Sequence, residues 1–286
     1  MAWQPRVSFL VTCHDLGRFL PEALESIFAQ TYQDFEVVIV DDGSTDPETL
    51  RILEHLRRPR TQLVTIPNRG LPAARNEALR HARGRYLCAF DCDDVLQPRF
   101  LERTLAVLDR DPSVAFVSTW LEVFGTESWI WRQERVDFPL LLSECVVLTA
   151  APVRREAVEA VGGYDAETFR DGDEDWDLWI GLVEGGYRGA VVPEVLFRYR
   201  RRPDSMFARC NRGQTRRRLR RALIEKHRAS FAEHAADVLL LRERECGEHL
   251  RSNASLELEI GTILEPALER VRRATAALAP VEGPGA

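Results

Sequence analysis

Lysine is almost absent from this chain: of its 39 basic residues, Lys226 is the single lysine and the others are arginine. The 45 acidic residues outnumber them and give a formal net charge of −6 at pH 7. Proteins that bind nucleic acid non-specifically carry a basic surface for the phosphates. The charge balance therefore argues against a nucleic-acid partner.

A cysteine framework is also missing. Cys88 and Cys92 have no second cysteine pair at the spacing of a zinc site, and the other cysteines are scattered. We expect free thiols in a reducing compartment rather than disulfides. The six cysteines are Cys13, Cys88, Cys92, Cys145, Cys210 and Cys246.

Long apolar runs are missing too. No stretch reaches the ~20 apolar residues that span a bilayer, and the first residues, Met-Ala-Trp-Gln-Pro-Arg, do not resemble a signal peptide. These absences predict a cytoplasmic protein with no transmembrane segment, whose contact with a membrane is at most peripheral. At 286 residues and 45% hydrophobic composition, the chain is large enough for one domain with an appendage.

The turn after the first predicted strand lacks the glycines of a dinucleotide site. Val7–Thr12 is a β-branched and apolar run, and residues 21–30 follow with helical periodicity. The turn between them contains only Gly17, whereas a Rossmann motif has three glycines there. NAD binding is therefore not expected.

The chain does contain an apolar strand, Tyr86–Phe90, that is followed by three carboxylates, Asp91, Asp93 and Asp94. Carboxylates cannot share the dry surroundings of a buried strand, so they must lie where the strand leaves the core. At the carboxyl end of a strand in an open α/β sheet, such oxygens suit Mg²⁺ or Mn²⁺ completed by phosphates. The alternative is a solvated surface turn, because Asp-x-Asp alone is a weak signal.

A second strand, from Glu36, ends in the same way at Asp41 and Asp42. An acidic side chain there can accept hydrogen bonds from a ribose hydroxyl or a base imide, and we expect this of Asp42. Asp46 is interpreted as a helix N-cap. The helix that it caps should direct inward Leu50, Leu53 and Leu56.

Strands and helices alternate as far as residue 111. This alternation predicts an α/β fold with a mostly parallel, twisted sheet and right-handed crossovers. Arg75 lies in the first turns of the helix that follows Asn68-Arg-Gly-Leu-Pro. Its guanidinium can meet a phosphate or a carboxylate of the acidic cluster, and a plain structural salt bridge is an equal and compatible alternative.

A second acidic region, Asp171–Trp179, brings five acidic side chains up to a predicted helix. Helix caps and the helix dipole explain one or two of them. Apolar residues such as Trp176 follow at once, and they would surround Asp175, raise its pKa and suit it to act as a general base. Asp177 is predicted to face solvent.

Tryptophans mark a predicted hairpin over residues 122–132. Aromatic faces stack on sugar rings, but tryptophans at alternate positions also cover the edge of a core. We interpret Trp120 as core and leave both roles open for Trp129 and Trp131.

Arginine is dense in residues 198–202, after the last predicted strands at 189–192 and 195–199. Several guanidinium groups close together suit a diphosphate, whose charge they can share. Residues 216–221 continue the basic tract and are interpreted as the exposed face of a helix.

The remainder of the chain has helical composition. Amphipathic stretches at 215–248 and 255–279 predict two long helices, and the second carries a short heptad seam. We therefore divide the chain into a domain at 1–213 and a C-terminal helical extension at 214–286. The extension either packs back on the domain or pairs two chains into a homo-oligomer.

Seven of these segments occur in the order found in a known family: Val7–Thr12, Val37–Asp46, Asn68–Asn76, Phe90–Asp94, Gly162–Asp165, Glu174–Trp179 and Tyr199–Met206. Together they resemble glycosyltransferase family 2, which has the GT-A fold. The resemblance covers about residues 6–206. Several independent motifs in register are far more specific than any one of them.

The resemblance implies an inverting enzyme that moves a sugar from a nucleotide-diphosphate sugar to an acceptor hydroxyl. Thr12 and Asp42 would hold the nucleoside, and Arg75 would approach the nucleotide. Asp91 and Asp93 would be the Asp-x-Asp pair that meets the ribose and the metal-bound diphosphate. The metal would be Mn²⁺ or Mg²⁺, with Asp93 as its ligand.

Asp175 would be the catalytic base in this resemblance. The donor would be a UDP-, dTDP- or GDP-sugar, and the acceptor a saccharide or glycoconjugate. Arg202 stands where the family commonly has a histidine, so a guanidinium would have to neutralise the leaving group. His14 occupies a position that is often aromatic and stacks on the base. The segment after Gln214 lacks the tryptophan of processive synthases, which favours single additions.

Two other classes of protein are alternatives to this one. A sugar-phosphate nucleotidyltransferase needs a glycine-rich, basic loop after the first strand, and Thr12–Gly17 is neither. A non-catalytic nucleotide-binding or scaffolding module with a GT-A fold, assembling through its C-terminal helices, rests on Arg202 alone.

Overall fold

The computed structural model describes residues 3–210 and 213–244. Its strands are β1 (Val7–Cys13), β2 (Phe35–Asp42), β3 (Thr61–Ile66), β4 (Tyr86–Asp91), β5 (Val95–Leu96), β6 (Val114–Gly125), β7 (Trp129–Trp131), β8 (Val153–Arg154) and β9 (Arg188–Arg201). Its helices are α1 (Leu20–Phe28), α2 (Pro47–Glu54), α3 (Leu71–His81), α4 (Phe100–Arg110), α5 (Phe138–Ser143), α6 (Arg155–Ala160), α7 (Glu174–Glu184), α8 (Met206–Cys210), α9 (Gly213–Lys226) and α10 (Arg228–Glu233).

All of these strands belong to one sheet, in the order β3-β2-β1-β4-β8-β6-β9-β5, with β7 beside β6. The half formed by β1 to β4 is parallel, which confirms the predicted α/β fold. In the other half β8 runs antiparallel to β4 and β6, while β9 is parallel to β6. The register pairs Thr12 with Asp91 and Cys13 with Asp41, so these residues meet at the carboxyl ends of neighbouring strands.

The core of the parallel half forms because β1 and β2 are buried along their whole length. Phe9 lies edge-on to Phe35 and Phe90, with ring centroids 5.5 and 6.3 Å away. Burying a side chain of this size stabilises the fold by roughly 1.5–3 kcal/mol relative to leaving it exposed. Rigid strands of this kind hold the residues at their carboxyl ends in fixed positions.

Helix α2 begins as predicted but faces a different way. The backbone N–H of Thr49 donates to Asp46 at 2.8 Å, which confirms the N-cap. Leu53 is buried, but Leu50 is 45% exposed, so its predicted inward position is wrong. The buried stripe of this helix consists of Thr49 and Leu53, which lie one turn apart. Thr49 faces the protein because its hydroxyl accepts the backbone N–H of Gly17.

Two further expectations are corrected near the end of the described chain. The predicted strands at 189–192 and 195–199 form the single strand β9, and the predicted helix from residue 215 is interrupted after Lys226. The chain divides into two units, Met1–Ala235 and Ala236–Ala286. Residues 236–244 of the second unit are helical.

The remaining predictions for the C-terminal region stay predictions. The predicted helix at 255–279 and its heptad seam lie outside the described residues, and the domain boundary at residue 213 stays a prediction. Within residues 3–210 and 213–244, no helix is both long and apolar enough to cross a bilayer.

Candidate functional site

The carboxyl ends of β1, β2 and β4 open into a cavity of about 560 Å³, called the first cavity below. The residues that line it come from several turns that follow these strands and from the end of β9. Those that had been selected from the sequence are Thr12, His14, Asp42, Asp91, Asp93 and Arg202. The structure therefore brings six of the eight predicted site residues to one cavity.

Arg75 lies behind this cavity and ties it to the second acidic region. Its side chain is 1% exposed and forms ion pairs with Asp91, at 3.0 Å, and with Glu174. Asp91 also accepts a hydrogen bond from the Thr12 hydroxyl at 3.3 Å. Burial opposes the charge of Arg75, but the two carboxylates raise its pKa above the usual value. Of the two roles left open for Arg75, the salt bridge is present.

Asp42 is buried, and both of its oxygens accept backbone hydrogen bonds. The N–H groups of Arg69 and Gly70 donate to it at 2.8 and 2.9 Å. Gly70 has φ 91°, a left-handed conformation that favours glycine. Asp42 thus shapes the turn that leads into α3 as well as lining the first cavity.

His14 lies at the exposed rim of the first cavity. Its ring is 3.0 Å from the side-chain amide of Asn68. Asp15, next to it, accepts the backbone N–H groups of Thr45 and Asp46 at 2.6 and 2.8 Å, which joins the first turn to the second. The rim is therefore a connected set of loops rather than one isolated turn.

Asp93 and Arg202 form an ion pair inside the first cavity, with Nε of Arg202 2.9 Å from Asp93 Oδ2. Burial and the charge of Asp91 raise the pKa of Asp93, while Arg202 lowers it. Asp94 is buried behind them and accepts the backbone N–H of Arg200 at 2.8 Å. Burial and its two acidic neighbours raise the pKa of Asp94 well above the usual range.

The fit of this donor set to a divalent cation can be judged from its oxygens. Among the described residues, no group of three or more His, Cys, Asp and Glu side chains is arranged as a metal site. Asp91 Oδ1 is occupied by Thr12 and Arg75, and Asp93 Oδ2 by Arg202. A pair of carboxylates such as Asp91 and Asp93 suits Mg²⁺ or Mn²⁺ when phosphates and water complete the coordination sphere.

Asp175 lies in the first turn of α7 and lines a second cavity of about 350 Å³. The hydroxyl of Thr149 donates to Asp175 Oδ2 at 2.6 Å, and the Trp176 backbone N–H donates to Oδ1 at 2.7 Å. Glu174 beside it is buried, and burial raises its pKa to about 7 although Arg75 acts in the opposite direction. Burial also raises the pKa of Asp173.

The two cavities adjoin each other. Asp93 lines the first and Asp175 lines the second, while Asp91 lines both. The other residues common to the two cavities are Leu71, Tyr199, Met206 and Phe207. Carboxylates from two distant parts of the sequence thus face neighbouring spaces.

Asp177 was predicted to face solvent, and that prediction is wrong. Its side chain is buried against the C-terminal end of α9: Lys226, the last residue of that helix, donates to one oxygen at 2.9 Å, and the ring of the next residue, His227, lies 3.0 Å from the other. The reason is tertiary, because the two cations come from residues almost fifty positions later in the chain.

Two residues that the sequence did not single out belong to the site. Arg170 lines the first cavity, and a Cβ atom on Gly70 would lie 2.8 Å from its Cγ, so Arg170 packs directly on that turn. Thr149 holds Asp175. Neither lies in a recognisable motif, and only the density of arginine around the first cavity could have pointed to Arg170.

Comparisons with known proteins agree with this architecture. The family model for glycosyl transferase family 2 matches residues 8–165, which is more than half of the chain. The chain therefore belongs to glycosyl transferase family 2, and it is an enzyme of the glycosyltransferase class. The resemblance recognised in the sequence is confirmed.

Among its relatives is EpsE of Bacillus subtilis (strain 168), described as a glycosyltransferase, which is 30% identical over 212 residues that cover 70% of this chain and 75% of that protein. A chondroitin synthase of Escherichia coli is 38% identical over 117 residues, but this match covers 40% of the chain and only 17% of the synthase.

Solved structures share the fold at low sequence identity. Staphylococcus aureus TarS 1-349 in complex with UDP-GlcNAc has a TM-score of 0.61 at 20% identity, over 71% of this chain and 60% of that one. The mannosyltransferase PcManGT from Pyrobaculum calidifontis, in complex with GDP-Man and Mn²⁺, has a TM-score of 0.55 at 23% identity, over 90% and 81%. These likenesses show that the chain has the GT-A fold.

Proposed function

We propose that this protein is an inverting, single-addition glycosyltransferase that moves a sugar from a UDP-, dTDP- or GDP-sugar to a hydroxyl of a saccharide or glycoconjugate. The observation that carries the proposal is the arrangement of the two adjoining cavities. The first holds the carboxylates and arginines suited to a nucleotide diphosphate, and the second holds Asp175. They meet at Asp91.

Asp175 is proposed as the base. It takes the proton of the acceptor hydroxyl while that oxygen attacks the anomeric carbon from the side opposite the nucleotide. The hydrogen bond from Thr149 fixes the orientation of the carboxylate, because it holds Oδ2 at 2.6 Å. A positioned base typically contributes on the order of 10²- to 10⁴-fold to the rate.

The donor is proposed to lie in the first cavity. Thr12 and Asp42 hold the nucleoside, His14 lies beside the base, and Asp91 meets the ribose. Arg75 acts from behind, by fixing the carboxylate of Asp91 through their ion pair at 3.0 Å.

Charge on the departing diphosphate is proposed to be neutralised by Arg202, with Arg170 nearby in the same cavity. Guanidinium groups suit this role because their planar N–H donors match phosphate oxygens. Asp93 would hold Mn²⁺ or Mg²⁺, which supplies further positive charge to the diphosphate when it is bound.

The cytoplasmic location, with peripheral membrane contact at most, and a homo-oligomer formed through the C-terminal helices belong to the same proposal. The rival function is a non-catalytic nucleotide-binding or scaffolding module. Its support is the Asp93–Arg202 ion pair, which occupies an oxygen that a metal would otherwise use. A turnover assay separates it from the proposed function.

The test is the substitution Asp175→Asn. We expect transfer to fall on the order of 10²- to 10⁴-fold, because the base is lost, while the dissociation constant of the nucleoside diphosphate stays close to that of the wild type. Initial rates with a panel of nucleotide sugars measure the first quantity, and isothermal titration with UDP and GDP, with and without Mn²⁺, measures the second.

Glu167→Gln is the matched control, since Glu167 is an exposed acid eight positions before Asp175 and lines neither cavity. Loss of nucleotide binding in Asp175→Asn would make Asp175 structural instead. The anomeric configuration of the product, compared with that of the donor by NMR, tests inversion, and a retained configuration would exclude it.

A further inference from the structure

The second cavity has a floor formed by one face of the sheet. In the register of β7, β6 and β9, Trp131 pairs with Leu121 and Leu121 with Phe197. Two residues further along β6 and β9, Val123 pairs with Trp129 on one side and with Tyr199 on the other. Residues two apart on a strand point to the same side, so these side chains share a face. This aromatic face consists of Leu121, Val123, Trp129, Trp131, Phe197 and Tyr199, and all six line the second cavity.

The other side of the same strands is different. Ile130 pairs with Glu122, and Glu122 pairs with Arg198 and accepts from its Nε at 2.8 Å. That side is therefore partly polar and internally paired. The aromatic face instead leaves Trp129 44% exposed, next to the cavity that contains Asp175.

A donor without a partner lies at the edge of the aromatic face. Arg201 Nε is buried and makes no hydrogen bond among the described residues, and the nearest carboxylate oxygen, on Glu127, is 3.7 Å away. A buried polar group of this kind costs free energy unless a ligand or water satisfies it. A ligand that lies on the aromatic face can therefore offer an oxygen to Arg201.

Charge narrows the class of ligand. The second cavity is lined by the carboxylates of Asp91, Asp94, Asp173, Glu174 and Asp175. Two of the arginines that line it are paired with carboxylates of the protein, Arg75 with Asp91 and Arg220 with Asp173. The third, Arg201, has the Glu127 carboxylate only at 3.7 Å, beyond hydrogen-bond distance. An anionic lipid phosphate would meet mostly negative charge here, whereas a neutral ligand rich in hydroxyl groups would find acceptors for its donors.

We propose that the aromatic face is a binding platform for an uncharged saccharide acceptor of at least two sugar rings, with Trp129 as its main stacking residue. The apolar C–H face of a pyranose packs on an indole ring, and its hydroxyls reach the surrounding carboxylates and Arg201. This inference rests on the proposed sugar transfer and names the substrate class of the acceptor side.

The size of the platform favours more than one ring. Val123 and Phe197 are buried, so the part of the face that a ligand can reach is centred on Trp129 and Trp131. These two residues lie two positions apart on one strand, a separation of about 7 Å. A single pyranose covers only part of that area. The affinity for acceptors should therefore rise from monosaccharide to disaccharide and then level off.

The experiment compares Trp129→Ala with Ile130→Ala and Trp129→Phe in the full chain. Ile130 is the matched control, because it is 42% exposed on the opposite side of the same strand. Saturation-transfer NMR with neutral mono-, di- and trisaccharides of the gluco and manno series identifies a binder, and its dissociation constant is then measured for each variant.

We expect Trp129→Ala to weaken disaccharide binding on the order of tenfold, the equivalent of one lost aromatic contact. Trp129→Phe should recover part of the loss, and Ile130→Ala should bind like the wild type. Circular dichroism confirms that the variants are folded.

Three results would overturn the platform: equal disaccharide binding by wild type and Trp129→Ala, an equal loss in Ile130→Ala, or no saccharide of the panel binding to the wild type. Isothermal titration with UDP and GDP on the same proteins keeps this question apart from the proposed function. Failure of nucleotide binding in the wild type would count against sugar transfer, whereas intact nucleotide binding without a Trp129 effect would remove only the platform.

Discussion

The first and second cavities meet at Asp91, yet they are built from different parts of the sheet. The first lies at the carboxyl ends of parallel strands, whose buried backbone fixes the positions of Thr12, Asp42 and Asp91. The second lies on one face of β6, β7 and β9. Along these strands, the side chains of this face alternate with those of the opposite, partly polar face. A side chain on such a face can be exchanged without moving the backbone that carries it.

The polar groups of the two cavities are also satisfied differently. In the first, Asp42 accepts two backbone N–H groups and Asp93 pairs with Arg202. In the second, Arg201 Nε has no hydrogen-bond partner among the described residues. The polar groups of the first cavity are thus held by the protein itself, whereas the second cavity contains a donor that a ligand can satisfy. Substitutions should therefore affect the cavities separately, except where one residue links them.

The largest effect is expected at that link. Arg75→Met would leave Asp91 and Glu174 without their shared cation in a buried place, because Arg75 is almost fully buried between them. Removing one partner of a buried ion pair costs about 3–5 kcal/mol of unfolding free energy. Urea denaturation measures the loss, with Arg80→Met, an exposed arginine of the same helix, as control. An equal stability of the two variants would contradict the linking role of Arg75.

A smaller effect, confined to the first cavity, is expected for Arg202→Ala. The substitution removes a charged hydrogen-bond donor, so binding of UDP or GDP without added metal should weaken on the order of tenfold or more. Saccharide binding in the second cavity should not change. Arg198→Ala, on the partly polar side of β9, is the control. Unchanged nucleotide affinity in Arg202→Ala would show that Arg202 serves only to pair with Asp93.

The smallest effect is expected outside both cavities, at His227. Burial alone would lower the pKa of His227, but the carboxylates of Asp177 and Glu184, 3.0 and 2.8 Å away, raise it above the usual value. Protonation therefore stabilises the fold fully below the unfolded pKa of about 6.5, and the contribution is lost as the pH rises through the raised folded pKa. The melting temperature of His227→Gln should differ most from that of wild type at acidic pH, and the difference should shrink at alkaline pH.

The single lysine gives this prediction a second readout. Lys226 Nζ lies 2.9 Å from both Asp165 and Asp177, beside His227. Loss of the His227 cation leaves the Asp177 carboxylate to Lys226 alone, which raises the pKa of Lys226 further. The rate of acylation of Lys226 at one pH, measured by mass spectrometry relative to Nα-acetyl-lysine in the same tube, should therefore fall in His227→Gln. An unchanged acylation rate, together with a melting difference that does not depend on pH, would show that His227 is not protonated in this cluster.

Much of the first cavity could be predicted from the sequence. Asp42, Asp91 and Asp93 come at or just after the ends of apolar strands. A carboxylate at the end of a buried strand has to lie where the strand leaves the core. The carboxyl ends of neighbouring parallel strands lie side by side. It could therefore be predicted without knowledge of long-range contacts that Thr12, Asp42 and Asp91 lie close together.

The second cavity was less predictable. Helical position alone suggested solvent for Asp177, because nothing nearby in the sequence indicates that Lys226 and His227 pack against it. The roles of Trp129 and Trp131 were left open because they depend on which face of the sheet carries these two side chains. That is decided by the register of β7 on β6 and of β6 on β9, not by residue type. Thr149 could not be selected at all, since a lone hydroxyl carries no pattern.

By itself, the sequence determined the alternation of strands and helices, the strand ends at which the carboxylates lie and the family to which the chain belongs. Each of these follows from local alternation of apolar and polar residues or from short motifs. Only the tertiary structure decided which cation meets which carboxylate and which face of the hairpin opens to Asp175. Those choices depend on packing between segments far apart in the chain, where many pairings are chemically equivalent and only shape selects one.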